Sequence, residues 1–282
     1  MKLQTPAAAA GTITLGGDLT VNRMGYGAMR LTGPGIWGDP ADRAAAGRVL
    51  HRALDLGVNF IDTADAYGPE TNERLIAEYL HPYPAGLVIA TKGGLLRPGP
   101  GRFEADGRPE HLRAACEASL KRLRLTCIDV YQLHTPDRRV PFDDSVGELA
   151  RLQGEGKVRH IGLSNVSLAQ LEAARAWVTV VSVQNRYSAS DRSSDDVLAC
   201  CEHNGIAFIP WFPLAAGKLA GQTDGALAAV GSAQGLSSAQ VALAWLLARS
   251  PVMLPIPGTS SIAHLEENVV SAGVRLPPAA LR

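Results

Sequence analysis

The sequence has no surplus charge of either sign. Lys+Arg and Asp+Glu both number 27 in 282 residues, for a net charge of zero. No long-range field therefore steers the chain to nucleic acid or to an anionic membrane surface. It has no apolar run of about 18 residues, the length a membrane-spanning helix needs. Its first residues, Met1 to Gly11, are too short and too weakly apolar a stretch for a secretory signal. A cytoplasmic enzyme or binding protein is expected. Cysteine is sparse: Cys116, Cys127, Cys200 and Cys201 show no metal-ligand spacing and read as reduced thiols in or near the core. No linker divides the chain, so residues 1–282 are expected to form one domain.

What is present is alternation. Two short β-prone runs, 12–15 and 19–21, flank Gly16-Gly17-Asp18 and read as a hairpin. From Tyr26 onward, apolar strand-like runs alternate with helical stretches. Residues 39–56 read as the first helix, with Pro40 in its first turn and Gly57 as its stop. Strands are expected at 58–61, 87–90, 128–133, 158–163, 180–183, 206–209 and 252–256. The segment 95–107, rich in Gly, Pro and Arg, reads as an exposed loop. Counting from Tyr26 gives eight strand–helix units, which argues for an α/β fold with a closed (β/α)8 TIM barrel. Such a barrel typically takes about 250 residues, and its site lies at the C-terminal ends of the strands. Polar residues do sit where the apolar runs stop: Asp62, Lys92, His134, Ser164-Asn165, Gln184, Trp211 and Thr259.

Two familiar site patterns are missing. Gly25-Tyr26-Gly27 lacks the third glycine of a dinucleotide-binding turn, since Arg30 holds that place. No His-x-His pair ends the first strand, which weakens a metal-dependent hydrolase built on Asp62 and His134. The residues that are there point elsewhere. The runs FID, LVIATK and IDVYQLH deliver Asp62, Lys92 and His134 to three successive strand ends, and Tyr67 follows Asp62 by five residues. This set resembles the catalytic tetrad of the aldo-keto reductases, and the resemblance runs from about Met24 to Asn268. It implies that Tyr67 is the general acid and that Lys92 stabilises its ionised form. Asp62 would hold Lys92, and His134 would orient the carbonyl oxygen. It also implies that the N-terminal hairpin closes the bottom of the barrel.

On the cofactor side, the resemblance implies that Ser164, Asn165 and Gln184 grip the nicotinamide carboxamide, which needs both a donor and an acceptor. Trp211 would stack on the ring, and the loop through Leu214, Gly217 and Lys218 would line the pyrophosphate. Thr259, Ser260 and His264 would meet the 2′-phosphate near a helix start, with Glu267 and Asn268 at the adenine. The family's usual Lys after Ile-Pro is Gly258 here, and its Arg clamp is His264. NADPH is still expected over NADH, by a smaller margin, because no acidic residue lies between Gly258 and Leu265. NADH remains possible. The chain ends at Arg282, soon after the last helix, so an open pocket is expected, formed mainly by Tyr26, Trp37, Phe103 and Trp211. The implied partner is a small-molecule carbonyl substrate, with no bound metal, and the protein is expected as a monomer or weak oligomer. The rival reading is a catalytically quiet NADP-binding barrel that acts as a sensor or regulatory subunit.

Overall fold

In the computed structural model, residues 5–211 and 226–277 are described. The chain opens with an antiparallel hairpin, β1 (Thr12–Leu15) and β2 (Leu19–Asn22). Then come β3 (Tyr26–Gly27), α1 (Arg43–Asp55), β4 (Phe60–Asp62), α2 (Thr71–Leu80) and β5 (Val88–Gly93). A second hairpin, β6 (Leu95–Gly99) and β7 (Arg102–Ala105), precedes α3 (Pro109–Leu123). The alternation resumes with β8 (Ile128–Leu133), α4 (Phe142–Gly154), β9 (Val158–Ser164), α5 (Leu168–Arg175), β10 (Val180–Arg186), α6 (Asp195–Asn204) and β11 (Ala207–Trp211). Three helices complete the chain: α7 (Ala226–Gln234), α8 (Ser238–Arg249) and α9 (Ile262–Val270).

Seven strands form one parallel sheet in the order β11-β10-β9-β8-β5-β4-β3. The (β/α)8 expectation holds, with an irregular eighth member. Residues 252–256 take the place of strand eight and bridge the two ends of the sheet. The Phe208 amide donates to Val252 O (2.9 Å), and the Leu254 amide donates to Phe208 O (2.8 Å). On the other side the Gly25 amide donates to Pro255 O (3.0 Å). Pro251, Pro255 and Pro257 lack the N–H groups that a full ladder needs, so closure rests on few bonds and on close backbone approach. A Cβ on Gly27 would lie 2.6 Å from Ile256 O, and one on Gly258 would lie 2.6 Å from Gly27 O.

Strand side chains alternate with period two. Phe60, Val88, Ala90 and Val130 face into the barrel, where they meet Leu15, Leu19 and Val21 of the first hairpin. Their neighbours Ile61, Ile89 and Tyr131 face outward, into the layer packed under the helices. The hairpin is held at the N-terminal ends of the strands. Asn22 N donates to the Asn59 side chain (2.8 Å), and Asn59 Nδ2 donates to Thr20 O (3.2 Å). It closes the bottom of the barrel as the sequence implied.

Three local expectations need correction. The first helix starts at Arg43 rather than Asp39, because Asp42 caps it by accepting from the Ala45 amide (2.8 Å); Pro40 lies outside. Residues 95–107 are not simply a loop: β6 and β7 pair Leu95 with Ala105 and Leu96 with Glu104. Helix α7 was not anticipated. Its Ala-rich sequence shows no amphipathic stripe to announce it.

The barrel seam gives a direct test. Gly27→Ala forces a methyl against backbone that cannot move aside, and we expect a loss of about 1–3 kcal/mol. Gly147→Ala, inside α4 with open space around its Cβ, should instead gain about 0.5–1 kcal/mol. Urea unfolding measures both, and a Gly27→Ala protein as stable as wild type would refute the seam account.

Candidate active site

The alternation that points Phe60, Val88, Ala90 and Val130 inward also sends Asp62, Lys92 and Gln132 inward, at the C-terminal ends of β4, β5 and β8. There the Lys92 ammonium is fully buried and donates to Asp62 Oδ2 at 2.6 Å. It also donates to Thr63 O (2.8 Å) and reaches the Tyr67 hydroxyl at 3.4 Å. Asp62 Oδ1 accepts from Gln184 Nε2 (2.8 Å) and Gln132 Nε2 (3.2 Å). The sequence reading missed Gln132, although its position two residues after the inward Val130 was the available signal. His134 follows on the same parity, its amide donating to Gly93 O (2.9 Å). Its ring meets the Tyr67 ring edge to face, with centroids 5.8 Å apart.

Burial and neighbouring charges shift the titration of Lys92, His134 and Tyr67. Burial works against the Lys92 charge, but Asp62 and Tyr67 outweigh it and lift the ammonium above the usual lysine range. Burial holds the His134 imidazole well below its ordinary value, and Lys92 adds to this, so the ring is neutral at neutral pH. Burial also raises the Tyr67 phenol, with Lys92 pulling the other way. The expected lowering by Lys92 is thus present but smaller than the desolvation it opposes. His134 Nδ1 is buried without a hydrogen-bond partner.

Asp62, Tyr67 and His134 open onto a cavity of about 680 Å³, which Phe103, Ser164, Asn165, Gln184 and Trp211 also line. The last four are linked. The Trp211 indole donates to Asn165 Oδ1 (2.9 Å), and Asn165 Nδ2 donates to His134 O (3.0 Å) and to Ser164 Oγ (3.1 Å). Ser164 Oγ donates to Gln184 O (2.8 Å). Asn165 adopts a left-handed φ of 58°, a conformation that asparagine tolerates better than most residues.

Other expected residues lie elsewhere. Tyr26 does not line the cavity: it is fully buried and donates to Thr259 O (2.6 Å). Its ladder partner is the outward Ile61, whereas Gly27 pairs with the inward Asp62, so Gly27 reaches the cavity instead. Trp37 lies behind the wall, with the Arg97 guanidinium 5.6 Å from its ring, and Ile36 lines the cavity in its place. Thr259, Ser260 and His264 precede or begin α9, which Ser261 caps; Ser260 and His264 are exposed. The Thr259 hydroxyl accepts from the Ser261 amide (3.0 Å). Glu267 accepts from the Ser237 hydroxyl, and Asn268 is buried. Leu214, Gly217 and Lys218 lie outside the described residues. Among the described residues no cluster of His, Cys, Asp and Glu could hold a metal ion.

The comparisons with known proteins agree with this fold. The chain is 50% identical over 270 residues to an uncharacterized oxidoreductase of Schizosaccharomyces pombe, covering 96% of this chain and 87% of the other. It is 43% identical to the pyridoxine 4-dehydrogenase of Escherichia coli, covering 95% of each. The glycerol dehydrogenase of Gluconobacter oxydans superposes with a TM-score of 0.87 at 27% identity, covering 96% of this chain and 93% of that one. An aldo/keto reductase from Klebsiella pneumoniae, solved with NADP and acetate, superposes with a TM-score of 0.79 at 25% identity, covering 96% and 92%. Barrel, cavity and relatives together define an oxidoreductase of the (β/α)8 class. The chain belongs to the aldo/keto reductase family, whose model matches residues 23–281.

One acid beside the site was not anticipated. Asp65, between β4 and Tyr67, has a buried Oδ1 without a partner. Burial, and then the nearby Glu73, push its carboxyl up to about 8. The folded protein therefore binds more protons here than the unfolded chain between the ordinary carboxylate range and about pH 8, so this group costs stability as pH rises through that window. Asp65→Asn removes the cost. In urea unfolding, the variant should exceed wild type at about pH 8.5 by more than at about pH 4.5; an advantage that does not grow with pH contradicts the assignment.

Proposed function

We propose that the protein reduces an aldehyde or ketone to an alcohol with NADPH, and that Tyr67 is the general acid. The observation that carries this reading is the buried Asp62–Lys92–Tyr67 chain, which meets a neutral His134 in one cavity. A carbonyl oxygen seated between the Tyr67 hydroxyl and the His134 imidazole can take a hydrogen bond from each. As negative charge grows on that oxygen, Tyr67 gives up its proton. The phenolate left behind faces the Lys92 ammonium, whose charge Asp62 holds in place. In the reverse direction the same hydroxyl receives the proton of an alcohol. Bound reduced nicotinamide supplies the hydride.

The wall beside Tyr67 suits that cofactor. Asn165 and Gln184 carry the paired donor and acceptor groups that a carboxamide requires. Trp211 offers a flat ring steadied by Asn165. Relatives of known structure hold NADP in this fold. The 2′-phosphate would meet Ser260, His264 and the start of α9, the positive end of the helix dipole, which favours an anion. With no carboxylate between Gly258 and Leu265, NADPH should bind more tightly than NADH. A metal-hydrolase role for Asp62 is disfavoured, because its oxygens already accept from Lys92, Gln132 and Gln184.

The test is loss of reduced-nicotinamide absorbance across a carbonyl panel, with wild type and Tyr67→Phe. Turnover should fall about 10²–10⁴-fold in the variant, while its NADPH dissociation constant stays as in wild type. Near wild-type turnover would remove Tyr67 from the role. A wild-type protein that binds NADPH without oxidising it would favour the sensor reading, and tighter binding of NADH would refute the phosphate argument.

A further inference from the structure

The sequence reading passed over Arg97, on β6. Its guanidinium lies 4.0 Å from the Phe103 ring centroid and 5.6 Å from that of Trp37. It donates to four backbone carbonyls: Gly35 O (3.0 Å), Ile36 O (2.9 Å), Ala66 O (2.9 Å) and Arg102 O (3.0 Å). No carboxylate among the described residues pairs with it. A single side chain therefore ties together three segments: the 33–38 loop, the turn before Tyr67, and the β6–β7 hairpin.

Each tie bears on the cavity. Ile36 has a left-handed φ of 58°, an outlier for a β-branched residue that only its surroundings can maintain. Its carbonyl is one of the four that Arg97 holds, and the residue lines the cavity. Phe103 also lines the cavity yet is 43% exposed, and the Arg97 guanidinium stacks on its ring. Leu95 lies on the same strand as Arg97 and lines the cavity too. Arg97 is absent from the lining. It shapes the wall from behind.

We infer that Arg97 is a positioning residue for substrate selectivity: it holds Ile36 and Phe103 as an apolar wall that favours aryl aldehydes over small aliphatic ones. This rests on the reading of the cavity as a carbonyl site. Tyr67 keeps its own contact with Lys92, so loss of Arg97 should act on KM for large substrates more than on kcat.

The experiment compares benzaldehyde and propanal, with NADPH, for wild type, Arg97→Ala, Arg97→Lys, Phe103→Ala and the Arg97→Ala/Phe103→Ala double variant. Arg97→Ala should raise KM for benzaldehyde about tenfold, the scale of a lost pocket wall, and leave KM for propanal and the NADPH dissociation constant near wild type. Arg97→Lys keeps the charge but cannot reach all four carbonyls. It should fall between the two, and it carries the test if Arg97→Ala does not fold. Because Arg97 acts through Phe103, the double variant should be little worse than either single. An unchanged KM ratio between the two aldehydes in both Arg97 variants, or additive losses in the double variant, overturns the inference alone. A wild-type protein that reduces neither aldehyde overturns the inference, and one that oxidises NADPH with no member of the carbonyl panel overturns the functional reading as well.

Discussion

The buried pair of Lys92 and Asp62 is the interaction on which the rest of the site depends. An ammonium removed from water is costly, and a buried ion pair recovers that cost only with close geometry and satisfied remaining groups. Both conditions are met. The contact is 2.6 Å, Lys92 has a second acceptor in Thr63 O, and Asp62 takes two further donors from Gln132 and Gln184. The pair ties β4 to β5, and the two glutamines add β8 and β10. Four strands thus converge on one carboxylate. Such a pair adds little net stability over a well-packed apolar core. Its presence is better explained by what it does to the phenol beside it.

That effect is a fixed pattern of protonation. Lys92 stays charged, the Tyr67 phenol is raised by burial and stays protonated, and His134 stays neutral. The Tyr67 hydroxyl therefore keeps its proton across the neutral range. The same burial makes it a reluctant acid. Within the proposed mechanism, transfer becomes favourable as negative charge builds on the substrate oxygen and the Lys92 ammonium stabilises the phenolate that forms. Low-dielectric surroundings strengthen that electrostatic help. The Trp211–Asn165–His134 hydrogen-bond run joins the wall formed by Trp211 and Asn165 to this group.

Much of this was legible in the sequence because strand alternation is a local rule. Apolar runs that end in Asp62, Lys92 and His134 carry the parity that sends those side chains inward. The same parity explains Gln132, which went unread because a glutamine within a strand announces little by itself. Tyr26 was misplaced for a different reason. β3 has only two residues, so its parity can be read only from its register against β4, which pairs Tyr26 with Ile61 and Gly27 with Asp62. Ladder register is a tertiary fact. The β6–β7 hairpin was hidden by composition: its Gly, Pro and Arg suit a loop, and Arg97 ties it to carbonyls far along the chain. Gly258, first noted as a missing lysine, has a steric reason. Its Cα sits where the barrel seam brings the Gly27 carbonyl too close for a side chain.

The central claim is that Asp62 and Lys92 act as one unit, and a double-mutant cycle tests it most directly. Asp62→Asn, Lys92→Met and the double variant are compared by urea unfolding and by single-turnover NADPH oxidation. Each single change leaves a buried group without its partner and should cost about 3–5 kcal/mol. The double variant should cost clearly less than the sum, and all three should fall to a similar low rate of turnover. Additive stability losses, or a double variant far slower than either single, would contradict the account.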